Sequence, residues 1–153
     1  MVVLFVCTGN TCRSPMAELF LRAELAKRGL MQVEVRSAGL AAFANDTISP
    51  NAAAVMAEYG IDASAFRSTR LTAGLLDSCD LIFTMTDSHR RSIVQALPEY
   101  APKTATLLSL ISGNDVPDPF GGSKDEYRMV FEAMLPALLT LINKIETKSL
   151  TTY

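Results

Sequence analysis

The stretch Val2-Val-Leu-Phe-Val-Cys7-Thr-Gly-Asn-Thr-Cys-Arg13-Ser14-Pro15 decides the fold, because it joins an apolar run to a short loop and a helix start. Residues 2–6 are three valines, a leucine and a phenylalanine, which is typical of a fully buried strand. Ser14-Pro15 is typical of an N-cap followed by proline at the first helical position. The stretch therefore predicts a strand, a tight loop from Cys7 to Ser14, and a helix.

Three more strand-like runs follow at intervals filled by helical patterns: Gln32–Arg36, Asp80–Met85 and Thr104–Leu110. Four strands separated by helices favour parallel pairing with right-handed crossovers. We therefore expect a three-layer α/β sandwich, with a four-stranded parallel sheet and helices on both faces. For the strands we expect the order 2-1-3-4. Ligands of such sheets bind beyond the carboxyl ends of the strands, which is where the Cys7 loop begins.

The helices are recognised by their ends. Ser49-Pro50 repeats the cap-plus-proline signal, and Gly29 and Gly60 stand where glycine commonly ends a helix. Ser123-Lys-Asp-Glu126 is a capping box that opens a long last helix. Pro136 falls inside that helix and should kink or break it.

Composition limits the possible classes of protein. The 153 residues fit one domain, residues 1–153, and no linker, repeat or low-complexity segment divides them. With 49% apolar and 20% charged residues, the chain has the composition of a globular protein rather than a disordered one. A net charge of −2 lacks the basic footprint of a nucleic-acid binder.

The apolar runs are strand-sized, so we expect no membrane span and no membrane partner. Met1–Val6 lacks the positive charge and the length of a signal peptide. Three cysteines are too few for a disulfide scaffold, and their number is odd. We therefore expect a cytoplasmic protein in which at least one thiol is kept for its reactivity.

The loop has the spacing C-x5-R-[ST], and each of its parts suits the binding of a phosphate. Successive backbone N–H groups of a tight loop can point inward at an anion, and the following helix adds its positive end. Gly9 supplies a position that tolerates positive φ. The planar fork of Arg13 can hold two phosphate oxygens. The same positive groups favour the thiolate of Cys7, and Ser14 can donate a hydrogen bond to that sulfur.

The sequence resembles the low-molecular-weight protein tyrosine phosphatase family over nearly its whole length. The resemblance rests on Phe5-Val-Cys-Thr-Gly-Asn-Thr-Cys-Arg-Ser-Pro15, Arg36-Ser-Ala-Gly39 and Asp118-Pro-Phe120. It implies a cysteine-dependent protein phosphatase that forms a phosphocysteine on Cys7, uses no metal or other cofactor, and takes phosphorylated proteins as substrates. It further implies phosphate binding by the residues after the cysteine, which are Thr8, Gly9, Asn10, Thr11, Cys12, Arg13 and Ser14. We expect a monomer.

The resemblance also implies that Asp118 is the general acid. Phosphoryl transfer needs a proton for the leaving group and later a base that activates water. Asp118 lies between two prolines after the predicted fourth strand, on the sheet edge where Cys7 is expected. Asp115 is the competing carboxylate and ranks below Asp118, and an ordinary Asp-Pro turn is the alternative explanation of the pair.

The phosphorylated residue is a separate question. Tyrosine phosphatases of the family generally have an aliphatic residue where this chain has Thr11. Thr11 and the run Asp118-Pro-Phe120-Gly-Gly-Ser123 resemble the bacterial protein-arginine phosphatase branch. The threonine hydroxyl can support a polar guanidinium leaving group, and the Asp118 carboxylate suits a cationic guanidinium. Phe120 can stack on a guanidinium or on a phenol ring, so it does not discriminate. We expect phosphoarginine to be the substrate and phosphotyrosine to be the alternative.

Two other functions fit the loop less well. Arsenate reduction on a related fold needs two relay cysteines, and only Cys79, which we assign to the core, is spare. A phosphocarrier would pass the group from Cys7 to a partner and would not need Asp118 to activate water.

Other residues receive smaller roles. Asn10 and Ser37 resemble the polar network that braces the loop in the family. By the same resemblance, Cys12 forms a reversible disulfide with Cys7 on oxidation, although it can also be a small loop residue. His89 is the only histidine and we assign it to a solvated helix face. No pair of potential ligands has the spacing of a metal site.

Overall fold

The computed structural model describes residues 1–150 and contains a parallel sheet of four strands in the order β2-β1-β3-β4. The strands are β1 (Val2–Cys7), β2 (Glu34–Gly39), β3 (Leu81–Thr84) and β4 (Thr104–Thr106). β1 pairs in parallel with β2 and β3, and β3 pairs with β4. The predicted fold class and strand order are confirmed.

Within residues 1–150, five α-helices accompany the sheet: α1 (Arg13–Lys27), α2 (Pro50–Glu58), α3 (Ala73–Asp77), α4 (Asp87–Ala96) and α5 (Lys124–Glu146). Val3 and Phe5 of β1 pack in a core with side chains of α1, α2 and α5. Leu4 and Val6 point to the opposite face, into a second core with side chains of α3 and α4. Because successive strand residues alternate between faces, β1 is buried on both sides and helices cover both faces of the sheet.

The fourth strand is shorter than predicted. It ends at Thr106, and residues 107–111 form a 3₁₀ helix rather than the end of a strand. Leu107 and Leu108 are both buried in the core that contains α5. A strand would send these neighbours to opposite faces, whereas a helical turn lets both pack on one core. The second strand also lies later than predicted, at residues 34–39 instead of 32–36.

Helix α5 continues through Pro136, so of the two predicted outcomes the break is wrong and the kink stays a prediction. Met134, Ala137 and Leu138, on either side of the proline, have no exposed surface. A proline inside a helix costs about 3 kcal/mol. Burying one large apolar side chain contributes roughly 1.5–3 kcal/mol, so packing on both sides outweighs the cost.

The predicted helix ends are only partly right. Gly29 and Gly60 follow α1 and α2 with φ of 71° and 74°, as expected for glycine after a helix. Ser123 caps α5, because its hydroxyl accepts a hydrogen bond from the Glu126 N–H. Ser49 holds the N-cap position of α2, but its hydroxyl donates to Tyr127 instead of capping.

Gly39 ends β2 against the start of the Cys7 loop, where it pairs with Cys7. A Cβ atom on Gly39 would lie 2.5 Å from the Thr8 carbonyl oxygen and 3.0 Å from the Asn10 backbone nitrogen. Both atoms are backbone and cannot move without displacing the loop. Gly39 is therefore required for close packing rather than for an unusual φ.

We predict that Gly39→Ala lowers the free energy of unfolding by about 1–3 kcal/mol, the usual cost of overpacking, and displaces the loop. Urea unfolding and hydrolysis of p-nitrophenyl phosphate measure the two effects. Gly74→Ala is the matched control, because no atom lies within 4 Å of its added Cβ. We expect that change to leave activity intact. Normal stability and activity of Gly39→Ala would contradict this account of the packing.

Candidate active site

The loop from Cys7 to Ser14 connects the carboxyl end of β1 to the start of α1. The side chains of Cys7, Asn10, Arg13 and Ser14 are all buried, with 0–5% of each residue exposed. The Asn10 backbone N–H donates to the Cys7 sulfur at 3.3 Å. The Ser14 hydroxyl oxygen lies 2.8 Å from the same sulfur. The loop therefore surrounds the sulfur with hydrogen-bond donors.

The side chain of Asn10 sets the direction of these hydrogen bonds. Its amide nitrogen donates to Ser14 Oγ and to Ser37 Oγ, both at 2.8 Å. Its carbonyl oxygen accepts from the Thr69 backbone N–H at 2.8 Å. Because Ser14 Oγ already accepts a hydrogen bond from Asn10, its own hydroxyl hydrogen is free to point at Cys7. The network thus supports negative charge on the sulfur.

The network continues to a carboxylate that the sequence reasoning missed. Ser37 donates to Glu18 Oε2, and Glu18 Oε1 forms an ion pair with Arg22. Burial raises the pKa of Glu18, while the hydrogen bond from Ser37 and the Arg22 guanidinium oppose that rise. Glu18 and Arg22 are four residues apart on α1, a spacing that predicts an ion pair but not its link to the loop.

Two expectations for the loop are wrong in detail. The residue with positive φ is Asn10, at 55°, and not Gly9. Asparagine tolerates this region better than most residues, and here three side-chain hydrogen bonds hold it there. Ser14 is not an N-cap, because α1 begins at Arg13 and the Ser14 hydroxyl faces Cys7.

Arg13 links the loop to the segment that contains Asp118. One guanidinium nitrogen donates to the Val116 carbonyl at 3.0 Å, and another lies 3.6 Å from Asp118 Oδ2. The Asp118 side chain is 54% exposed, so it is open to a substrate. Asp115 instead accepts a hydrogen bond from the Asp87 backbone N–H at the start of α4. Of the two carboxylates, only Asp118 is in contact with Arg13.

The loop, together with Asp118 and Phe120, lines a hollow of about 270 Å³, which we call the loop hollow. Its lining consists of Cys7, Thr8, Gly9, Asn10, Thr11, Cys12, Arg13, Asp118 and Phe120. Phe120 is 79% exposed and stands at its edge. Ser14 and Ser37 do not line the hollow but lie behind it, in the hydrogen-bond network. The structure thus brings together the site residues that the sequence singled out.

Cys12 is buried on the α5 side of the loop. Its sulfur lies 3.2 Å from the Tyr127 hydroxyl, which also accepts a hydrogen bond from Ser49. Burial raises the pKa of Tyr127, and the neighbouring Cys12 raises it further. Cys7, Cys12 and Cys79 are all free thiols, so the disulfide between Cys7 and Cys12 stays a prediction. Cys79 is buried in the second core, as expected.

His89 is not on a solvated face, and that prediction is wrong. The residue is only 7% exposed, and its Nε2 lies 2.9 Å from Thr8 Oγ1 of the loop. Its Nδ1 is buried and has no hydrogen-bond partner among the residues that the structure describes. His89 and Ile93 share the buried face of α4, and their four-residue spacing was the signal available in the sequence. Burial lowers the pKa of His89, and the charge of Arg13 lowers it further, against opposing effects of Asp115 and Asp118.

Within residues 1–150, no three histidine, cysteine or acidic side chains cluster as metal ligands would. No helix in that range combines the length and the apolar character that a membrane crossing requires.

The comparison with known proteins agrees with this geometry. The family model described as low molecular weight phosphotyrosine protein phosphatase matches residues 2–150. The chain therefore belongs to this family, which confirms the resemblance inferred from its motifs, and it is a hydrolase of the phosphatase type.

The similar proteins include both arginine phosphatases and tyrosine phosphatases. The protein-arginine-phosphatase of Geobacillus stearothermophilus is 40% identical, over 95% of this chain and 97% of its own. A solved low molecular weight protein tyrosine phosphatase from T. tengcongensis is 41% identical, with a TM-score of 0.89, over 94% of this chain and 99% of its own. The YwlE arginine phosphatase, solved as a C7S mutant with a phosphorylated active-site serine, is 38% identical with a TM-score of 0.89, over 95% and 96% of the two chains.

The lowered pKa of His89 predicts a pH effect on stability. Below pH about 6.5 an unfolded histidine binds a proton, whereas the buried His89 does not until the pH falls further. Unfolding is then favoured as the pH falls through this window, by up to roughly 1.4 kcal/mol per pH unit. We expect His89→Gln, which retains a polar group near Thr8, to lose less stability between pH 6.5 and 5 than the parent chain. Urea unfolding at several pH values measures the difference, and parallel curves would refute the prediction.

Proposed function

We propose that this chain hydrolyses phosphoarginine on proteins through a phosphocysteine intermediate on Cys7, as one phosphatase domain of residues 1–153. The observation that carries the proposal is the Cys7 sulfur, which lies 3.3 Å from the Asn10 N–H and 2.8 Å from the Ser14 hydroxyl. A sulfur with these neighbours is suited both to attack phosphorus and to leave it.

In the first step the Cys7 sulfur attacks phosphorus, and the bond from phosphorus to the substrate nitrogen breaks. Asp118 gives its proton to the departing guanidine, which leaves as a guanidinium ion. In the second step the Asp118 carboxylate takes a proton from water as that water attacks phosphorus. The sulfur–phosphorus bond breaks, inorganic phosphate leaves, and the Ser14 hydroxyl stabilises the returning thiolate.

The positions of Arg13 and the loop amides support the electrostatic part of this reaction. A phosphoryl group in transfer carries charge on its three equatorial oxygens. The loop hollow offers these oxygens the backbone of residues 8–12 and the guanidinium of Arg13. Arg13 is only 5% exposed and is held by Val116, so its fork is oriented before a substrate arrives.

The phosphorylated serine in the YwlE mutant supports the covalent step by analogy, since a residue in place of the cysteine carried the phosphate there. A phosphocarrier would share this step but would gain nothing from Asp118 beside the loop. Arsenate reduction finds no support, because Cys79 is buried in the second core and donates to the Leu75 carbonyl.

Thr11 favours phosphoarginine over phosphotyrosine. Overall identity does not choose, because relatives of the two kinds are 40% and 41% identical to this chain. The Thr11 side chain belongs to the lining of the loop hollow and is partly exposed there. A hydroxyl at this position can hydrogen-bond a polar leaving group, whereas an aliphatic residue suits a phenol ring. The Asp118 carboxylate that remains after the proton transfer also pairs favourably with the departing guanidinium. Protein-tyrosine phosphatase activity is the alternative.

The assignment of the acid is tested with Asp118→Asn and its neighbour Asp115→Asn. We expect Asp118→Asn to lower kcat on phosphoarginine peptides by about 10²-fold or more, the usual contribution of a general acid. The loss should be smaller for p-nitrophenyl phosphate, whose leaving group needs less protonation. Steady-state kinetics on both substrates measure this, with Cys7→Ser as the inactive reference. A larger loss in Asp115→Asn would reverse the assignment.

The role of Thr11 is tested with Thr11→Ile. We expect the ratio of kcat/KM for phosphoarginine to that for phosphotyrosine peptides to fall by about tenfold or more, as one polar contact in a pocket can provide. Matched peptides that differ only in the phosphorylated residue give the ratio. Thr11→Ser, which retains the hydroxyl, is the control and should keep the preference of the parent. A ratio unchanged in Thr11→Ile would remove this residue from the specificity argument.

A further inference from the structure

A second hollow lies between α5 and residues 117–119, which we call the Asp118 segment. It has a volume of about 410 Å³, and we call it the apolar hollow. Its lining consists of Pro117, Asp118, Pro119, Glu126, Met129, Val130 and Ala133. Five of these seven side chains are apolar, and Asp118 is the residue that this hollow shares with the loop hollow.

The wall on α5 follows from the helical period. Met129 and Val130 follow Glu126 by three and four residues, and Ala133 follows them by four and three, so these residues form one stripe on the helix surface. Val130 is 7% exposed and forms the floor, while Met129 is 68% exposed. The helix thus leaves a large flexible apolar side chain in solvent beside the proposed acid. Methionine in such places adapts to varied apolar partners.

The charges of the apolar hollow narrow the choice of occupant. Within residues 1–150, the ionisable groups of its lining are Asp118 and Glu126. A carboxylate at Glu126 disfavours a second phosphate or an acidic side chain, while the prolines, Met129 and Ala133 favour apolar contact. Asp118 lines both hollows. The apolar hollow is therefore best suited to an occupant that is covalently attached to the group bound in the loop hollow.

We propose that the apolar hollow binds an apolar side chain of the substrate polypeptide, such as leucine, within two residues of the phosphorylated residue. Consecutive residues of an extended chain are about 3.3 Å apart with side chains on alternate faces. A chain that crosses the Asp118 segment can therefore place one side chain in each hollow. This inference rests on the proposed function only in requiring a polypeptide substrate, and it holds for phosphoarginine and phosphotyrosine alike.

The test compares phosphopeptides with leucine, serine, lysine or aspartate at each of the two positions on either side of the phosphorylated residue. We expect leucine at one of these positions to raise kcat/KM about tenfold over serine, within the range that an apolar pocket gives. Met129→Ser should abolish most of that ratio. Met31→Ser is the matched control, because Met31 is 80% exposed and precedes β2. It therefore lies near the amino ends of the parallel strands, whereas Cys7 lies at the carboxyl end of β1. Met31→Ser should leave the leucine-to-serine ratio unchanged.

Hydrolysis of p-nitrophenyl phosphate, which has no flanking residues, reports the state of the loop hollow in every variant. Running the panel with phosphoarginine and with phosphotyrosine separates this inference from the choice of substrate, since the leucine preference should appear in whichever series is hydrolysed.

Three results would overturn the inference: no leucine preference at any position, a preference retained in Met129→Ser, or a preference for lysine instead. So would hydrolysis of p-nitrophenyl phosphate without hydrolysis of either peptide series. A concentration-dependent dimer that Met129→Ser dissociates, with peptide preference unchanged, would assign the surface to a second copy of the chain.

Discussion

The site depends on one buried side chain, the amide of Asn10, and on the hydrogen bonds that it makes. The amide joins the loop to β2 through Ser37 and to the segment before α3 through Thr69, while it orients Ser14 toward the Cys7 sulfur. Each of these bonds is shorter than 3 Å and buried or partly buried. An unsatisfied buried amide is costly, so the loss of any one of the three bonds destabilises the arrangement. The geometry around the sulfur is therefore a property of the whole sheet edge.

The same edge holds the Asp118 segment in place from two sides. Arg13 binds the Val116 carbonyl and lies near Asp118, and α5 begins a few residues later at Lys124. Asp118 consequently separates two hollows of different character, one lined by residues of the loop, including Arg13, and the other by apolar residues of α5 and two prolines. The chemistry that we propose for the loop hollow and the recognition that we propose for the apolar hollow share Asp118, because this residue lines both hollows.

Buried polar groups lie around the loop as well as within it. Glu18 extends the Asn10 network toward the surface ion pair with Arg22, and His89 approaches Thr8 from α4. On a third side Tyr127 of α5 contacts Cys12. Helices from both faces of the sheet therefore contribute polar contacts to a loop of eight residues. Such contacts restrict the loop from every direction and reduce the cost of ordering it when an anion binds.

The sequence by itself determined the parallel sheet and the loop after β1, because strand burial, helix caps and the C-x5-R-[ST] spacing are local signals. The place of Asp118 and Phe120 beside that loop rested on the resemblance to the family. The errors of the sequence-based predictions occurred where distant contacts decide. The end of β4 and the unbroken α5 were set by packing against cores that no local pattern describes, whereas the four-residue spacing of His89 and Ile93 did mark the buried side of α4. Likewise Asn10 rather than Gly9 adopts the positive φ, because hydrogen bonds from β2 and from Thr69 hold it there. Only the tertiary structure brought Glu18, His89 and Tyr127 to the loop and formed the apolar hollow, since these contacts join residues that are far apart in the chain.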